Sequence, residues 1–132
     1  KILDIDDRHI TATYRFRKDE FFYQGHFPGR PITPGVILVE TMAQAGVVAL
    51  GISLLLYKGV QATEIQQTTT LFTYAELLES TGTVSPGEKV MIKGEKIYFR
   101  KGSIKTKASI SRENGETVCS GVLAGTGVKL DE

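Results

Sequence analysis

Two residues of this sequence could act together as a base and an acid. His26 lies in a segment stiffened by prolines, since three of the chain's four prolines fall between positions 28 and 34. Each proline ring fixes its own φ and restricts the residue before it. Glu40 follows in a stretch that is otherwise almost entirely apolar. A histidine on a rigid loop and a lone carboxylate on an apolar helix suit paired acid–base chemistry.

Each of these residues also has a simpler interpretation. His26 could cap a turn, and Glu40 could be a surface or interface carboxylate in a salt bridge. A buried carboxylate is costly unless it has a partner. Gln44 lies one helical turn after Glu40 on the same face and could orient it. Alternatively, Gln44 is a core amide with its hydrogen bonds satisfied.

A long helix is predicted to begin directly after the proline-rich segment. Thr33 is a favourable N-cap, and Pro34 suits the first helical position, where its missing N–H costs nothing. The helix runs from about 34 to 57 and ends near Gly59. Apolar residues occur on every side of it, which is typical of a helix enclosed by protein or by membrane. The stretch is long enough to span a bilayer, but we predict no membrane insertion because polar residues and glycines interrupt it. These residues are Glu40, Thr41, Gln44, Gly46, Gly51 and Ser53.

Gly35 stands at the start of this helix. The N–H groups of the first helical turn have no intrahelical partner and lie at the positive end of the helix dipole. They could polarise a carbonyl oxygen as negative charge develops on it. The absence of a side chain would let a ligand approach the backbone. The plain alternative is that Gly35 only marks the start of the helix.

Strands are predicted on both sides of the helix in sequence. Alternating apolar residues indicate strands at His9–Phe16, Lys89–Phe99 and Ile104–Arg112. A hairpin is predicted to pair Ile104–Arg112 with Glu116–Val128. In Lys89–Phe99 the apolar residues change from even to odd positions, so we expect a bulge at Gly94 between them. Lys101-Gly102 is a predicted turn, and Asn114-Gly115 is the strongest hairpin signal. The Thr-rich stretch Glu64–Tyr74 also suggests a strand, and a strand is predicted at Ala75–Glu79 despite the local helix propensity there.

These elements predict an α+β fold in which one long central helix is wrapped by a curved antiparallel sheet. The length of 132 residues fits a single domain over residues 1–132. The helix is apolar on its outer side as well, so we expect a second subunit to share its burial.

Composition excludes several classes of function. The net charge of +1 gives no global attraction to nucleic acid or to a membrane. Two histidines, His9 and His26, with the single Cys119 make a metal site a poor interpretation. The sequence contains no phosphate-binding loop and no Gly-x-Ser-x-Gly motif. One cysteine and no signal-peptide pattern predict a cytoplasmic protein, and we expect no cofactor.

The second half of the chain is locally basic. A solvated strand face is the ordinary explanation, and a docking patch for an acidic carrier is the sharper one. The cations are Lys89, Lys93, Lys96, Arg100, Lys101, Lys105 and Lys107.

The central motif closely resembles a known family. Positions 25–36 read GHFPGRPITPGV, Glu40 follows, and positions 42–46 read MAQAG. This pattern is similar to the β-hydroxyacyl–acyl carrier protein dehydratases of fatty acid synthesis, which have the hot-dog fold. Glu40 matches the branch with Glu on the helix; the related branch that also isomerises the double bond carries Asp there.

The resemblance implies roles for individual residues. His26 would remove the α-proton of a (3R)-3-hydroxyacyl thioester, and Glu40 would donate to the leaving hydroxyl or orient the water formed. The Gly35 N–H would hold the thioester carbonyl, the Ile32 carbonyl would orient His26, and Gln44 would belong to the same substrate-binding group.

The resemblance also implies partners. The substrate would arrive on the phosphopantetheine arm of acyl carrier protein past Arg100 and Lys101, and the product would be a trans-2-enoyl thioester. Members of the family form homodimers, sometimes arranged as a trimer of dimers, in which the histidine of one subunit faces the glutamate of the other. The reaction would serve fatty acid synthesis or related polyene or polyketide synthesis. Two alternatives stay open: a hot-dog acyl thioesterase, and a non-catalytic subunit of a specialised pathway that binds acyl carrier protein.

Overall fold

The computed structural model describes residues 1–20, 33, 35–66, 68–80 and 82–129. The described strands are β1 (Ile2–Ile5), β2 (His9–Arg15), β3 (Thr68–Ser80), β4 (Lys89–Arg100), β5 (Ser103–Arg112) and β6 (Thr117–Lys129). The helices are α1 (Gly35–Ala43), which continues through a π-helical segment at Gln44–Ala49 into α2 (Leu50–Tyr57), and a short α3 (Ala62–Gln66).

The described strands form one antiparallel sheet in the order β1-β2-β4-β5-β6-β3. The predicted hairpin at Asn114-Gly115 is confirmed, because β5 and β6 pair through it and Gly115 has φ 91°. The turn at Lys101-Gly102 is also confirmed. Both of its residues have positive φ, 51° and 76°, as a two-residue hairpin turn that matches strand twist requires.

The long helix packs one face on the sheet. Its buried residues are Leu38, Met42, Ala43, Ala45, Gly46, Val47, Leu50, Gly51 and Leu54. The opposite face is open in the single chain, where Ile52, Leu56 and Tyr57 are exposed. The prediction of a long helix against a sheet is therefore confirmed, but one chain covers only one side of it.

The same helix is apolar enough to be tested as a membrane span. The stretch Ile37–Tyr57 has mean hydropathy 1.7, which satisfies the length and composition of a crossing helix, and 50% of that window is buried inside the protein. Core helices of soluble proteins meet the same criteria. The packing on the sheet favours the core interpretation.

The predicted bulge at Gly94 was placed wrongly. The register of β4 with β5 is regular through Gly94 and shifts between Lys96 and Tyr98. Gly94 serves a different purpose, since a Cβ there would lie 3.2 Å from the Cα of Gly46 and 3.0 Å from Ile10. The missing side chain lets the π-helical segment lie directly on the sheet.

In the region after the helix, one prediction is wrong and another is confirmed. Glu64–Gln66 belongs to α3 and not to a strand. Ala75–Glu79 lies within β3, despite its local helix propensity, because this strand pairs with β6 along its length. Tertiary pairing outweighs a weak local preference here.

Candidate active site

Glu40 and Gln44 form a hydrogen-bonded pair on the helix. Gln44 Nε2 donates to Glu40 Oε1 over 2.8 Å. The predicted contact between the two side chains is thus present, because residues four apart are neighbours on a helix surface. Both residues are exposed in the single chain, so the expected burial of Glu40 does not occur within one chain. This hydrogen bond engages one of the two carboxylate oxygens of Glu40.

Gly35 is the first described residue of α1 and is exposed. Among the residues that the structure describes, a Cβ added to it would meet nothing within 4 Å. Two residues earlier, the backbone N–H of Thr33 donates to the carbonyl of Val84 over 2.8 Å. The start of the helix is therefore anchored to the loop before β4, while the described residues leave the space beside the Gly35 Cα open.

The other predicted site residues divide into two groups. His26 and Ile32 lie outside the described residues, and their roles stay predictions. Arg100 and Lys101 are exposed at the turn between β4 and β5. The Arg100 guanidinium stacks over the Tyr98 ring at 4.6 Å, which holds this cation on the surface.

A cavity of about 370 Å³ borders Glu40. Tyr14 and Glu20 contribute to its wall, and the Tyr14 hydroxyl donates to Glu20 Oε1 over 2.7 Å. The sequence did not indicate these two residues as part of the site. They come close to Glu40 only because β2 pairs within the sheet on which the helix packs. The remaining wall is mostly apolar: Lys1, Ile2, Thr13, Phe16, Ile37, Thr41, Gln44, Ala45, Ala49 and Ile92. The cavity offers space for an apolar chain beside a carboxylate.

A second cavity, of about 320 Å³, begins at Gln44 and follows the helix toward α3. We refer to it as the Gly51 groove. Glycines at positions 51, 102, 125 and 127 contribute to its wall and leave room in it. Its helical side runs from Gln44 to Leu55, which is roughly 16 Å at the usual rise per residue. Because Gly102 is the neighbour of Lys101, the groove connects the basic turn with the Glu40–Gln44 pair.

Possible metal ligands and shifted pKa values are two further properties of the described residues. No group of three His, Cys, Asp or Glu side chains in the described parts of the chain could hold a metal. Burial raises the pKa of the Cys119 thiol, which makes this cysteine a poor nucleophile. Asp6 accepts backbone hydrogen bonds from Arg8 and His9, which lower its pKa, but it caps the turn after β1.

Comparison with known proteins gives the family directly. The family model described as "FabA-like domain" matches residues 2–122. The 3-hydroxyacyl-[acyl-carrier-protein] dehydratase FabZ of Caldicellulosiruptor bescii is 36% identical over 105 residues, which cover 80% of this chain and 68% of that protein.

Two solved structures show the fold. The dehydratase heterocomplex ApeI:P from Xenorhabdus doucetiae superposes with a TM-score of 0.77 at 14% identity, covering 98% of this chain and 81% of that one. A hypothetical thioesterase with coenzyme A from Streptococcus pneumoniae superposes with a TM-score of 0.66 at 14% identity, covering 100% and 90%. These neighbours confirm the predicted hot-dog fold. The motif around Glu40, the fold and the similarity together show that the chain belongs to the FabA-like family and, within it, to the FabZ 3-hydroxyacyl-[acyl-carrier-protein] dehydratases.

Proposed function

We propose that this protein removes water from 3-hydroxyacyl chains carried on acyl carrier protein, giving trans-2-enoyl thioesters. The observation that carries the proposal is the Glu40 carboxylate, which Gln44 holds at 2.8 Å beside an apolar cavity. A carboxyl group fixed next to space for an acyl chain suits protonation of a leaving hydroxyl. The FabZ relatives are dehydratases by name.

The proposed reaction balances with the chain's own residues. His26 takes the proton from C2, and the electron pair forms the C2–C3 double bond as the C3–O bond breaks. Glu40 gives its proton to the departing hydroxyl, which leaves as water. The Gly35 N–H donates to the thioester oxygen, where negative charge builds up transiently. The Ile32 carbonyl orients the His26 ring, and no cofactor enters the reaction.

The active form is proposed to be a homodimer, alone or as a trimer of dimers, with His26 of one subunit facing Glu40 of the other. Two features of the single chain support this arrangement. Glu40 is exposed there, and large apolar side chains are exposed on the helix and on the edge strand β3: Ile52, Leu56, Leu77 and Leu78. A partner subunit would cover large apolar side chains of this kind.

Direct assay of the wild-type protein tests the function. Incubation with a 3-hydroxyacyl carrier protein should give a product lighter by one water, seen by mass spectrometry of the intact carrier, with no free thiol released. Thiol release without water loss would indicate the thioesterase, and binding without either reaction would indicate a non-catalytic carrier-binding subunit. Substrates of several chain lengths would also define how much of the cavity the acyl chain fills.

We place the protein in the cytoplasm, with no nucleic acid partner.

Acyl carrier protein is proposed to dock at Arg100 and Lys101, and Lys101→Asn tests this. Lys101 has φ 51°, and asparagine tolerates this left-handed conformation better than most residues, so the turn should be kept while a charge is lost. We expect KM for the acyl carrier substrate to rise about threefold, with kcat unchanged and a weaker dependence on salt, as for a charge at the rim of an interface.

The control is a short acyl-pantetheine substrate, which lacks the carrier protein and should be turned over equally by both forms. An unchanged KM for the carrier substrate at low salt would rule out Lys101 as a docking residue.

A further inference from the structure

The loop before β4 joins two parts of the molecule that flank the His26 segment in sequence. We refer to residues 82–88 as the clasp. On one side of the clasp, the Phe16 N–H donates to Glu88 O over 3.0 Å and the Gly87 N–H donates back to Phe16 O over 2.6 Å. On the other side, the Thr33 N–H donates to Val84 O over 2.8 Å. The chain is therefore tied to the same short loop just after β2 and just before α1.

Arg112, at the end of β5, holds the clasp in place. Its Nη2 donates to the carbonyl of Thr83, and its Nε lies 3.5 Å from Glu88 Oε2. The other oxygen of Glu88 accepts the Ser85 N–H over 3.0 Å. The side chains of Arg112 and Glu88 are only 30% and 24% exposed, so this ion pair is less screened than one on the open surface.

Arg112 binds the clasp beside the hydrogen bond that anchors the start of α1. Thr83, whose carbonyl it binds, directly precedes Val84, whose carbonyl receives the Thr33 N–H. The Val84 side chain is completely buried in the core, so its packing also limits movement of the clasp. The guanidinium holds the Thr83 carbonyl through a directional hydrogen bond, whereas its contact with Glu88 is an ion pair in which Nε makes no hydrogen bond to the described residues.

We infer that Arg112 is a positioning residue for the site: through Thr83 and Val84 it fixes Thr33 and hence the backbone N–H of Gly35. This inference rests on the proposed function for its effect on catalysis. The Gly35 N–H must point at the position of the developing oxyanion, and misplacement by about 1 Å can cost as much as 10²-fold in rate. Arg112 would act only through the position of Gly35 and would not touch the substrate. Its replacement should therefore change kcat more than KM.

The test compares Arg112→Met, which keeps the apolar stem, with Arg112→Lys, which keeps the charge but not the forked geometry. Arg8→Met is the matched control, because Arg8 is an exposed arginine in the turn between β1 and β2. We expect kcat to fall about tenfold in Arg112→Met and less in Arg112→Lys, with KM within about twofold in both. Arg8→Met should behave as wild type.

Amide hydrogen exchange supplies a readout that does not depend on activity. In Arg112→Met the Thr33 amide should exchange about tenfold faster, while the Ala108 amide in the centre of β5 should keep its protection. Faster exchange at Thr33 with reduced kcat supports the inference. Unchanged exchange at Thr33 in either folded variant overturns it, and so does a kcat loss that only tracks loss of protection at Ala108.

The two proposals can fail separately. If the wild-type protein does not dehydrate 3-hydroxyacyl carriers, the proposed function is wrong, and exchange at Thr33 still decides whether Arg112 fixes the start of the helix.

Discussion

His26→Ala is expected to lower kcat for water loss by about 10²–10⁴-fold, the usual contribution of a general base. The α-proton of a thioester is only weakly acidic, so the enolate-like state forms only while a base takes the proton and a donor holds the oxygen. Removing the imidazole leaves the helix N-terminus and the cavity in place. Substrate binding should therefore persist, and the loss should appear in kcat and not in KM.

The chain provides a matched control in its other histidine. His9 is at the start of β2, half exposed, with its ring 3.6 Å from Asp6 and 3.9 Å from Glu95. His9→Ala should leave kcat unchanged, because surface ion pairs of this kind contribute little. Equal activity of His26→Ala and wild type, measured with circular dichroism to show that both are folded, would remove His26 from the mechanism.

The sequence predicted those parts of the fold that local chemistry dictates. Gly115 and Gly102 indicate their turns because glycine accepts positive φ more readily than other residues, and both glycines have positive φ in the structure. Gly94 shows the limit of this reasoning. A glycine within a strand indicates either a bulge or a close backbone contact, and only the position of Gly46 on the sheet shows that the second applies.

In the candidate site, too, the sequence predicted contacts between residues that are near each other in the chain and missed those between distant residues. Glu40 and Gln44 lie four residues apart on one helix, so their contact follows from helical geometry alone. Tyr14, Glu20 and Arg112 come from distant positions in the chain, and only strand order and register bring them to the site or to the clasp. No short-range pattern contains that information.

Glu40→Gln is expected to lower kcat by about 10²-fold or more, because an amide keeps the shape of the carboxyl group but has no acidic proton to give. The hydrogen bond with Gln44 should survive in rearranged form, so the helix should keep its stability. Rapid-quench measurement of single-turnover water loss would assign the effect to the chemical step. As a matched control, Glu116→Gln changes an exposed glutamate just before β6 and should be without effect.

Mixing the two inactive variants tests where the residues meet. If His26 of one subunit faces the partner's Glu40, a mixed dimer of His26→Ala and Glu40→Gln chains contains one intact site and one doubly altered site. Refolding the two variants together should then restore about a quarter of wild-type activity, since about half of the dimers are mixed and each has one working site. If both residues act within one chain, every site in the mixture carries one defect and no activity returns. Restored activity would therefore show both the dimer and the exchange of residues across it, because no arrangement within one chain can produce it.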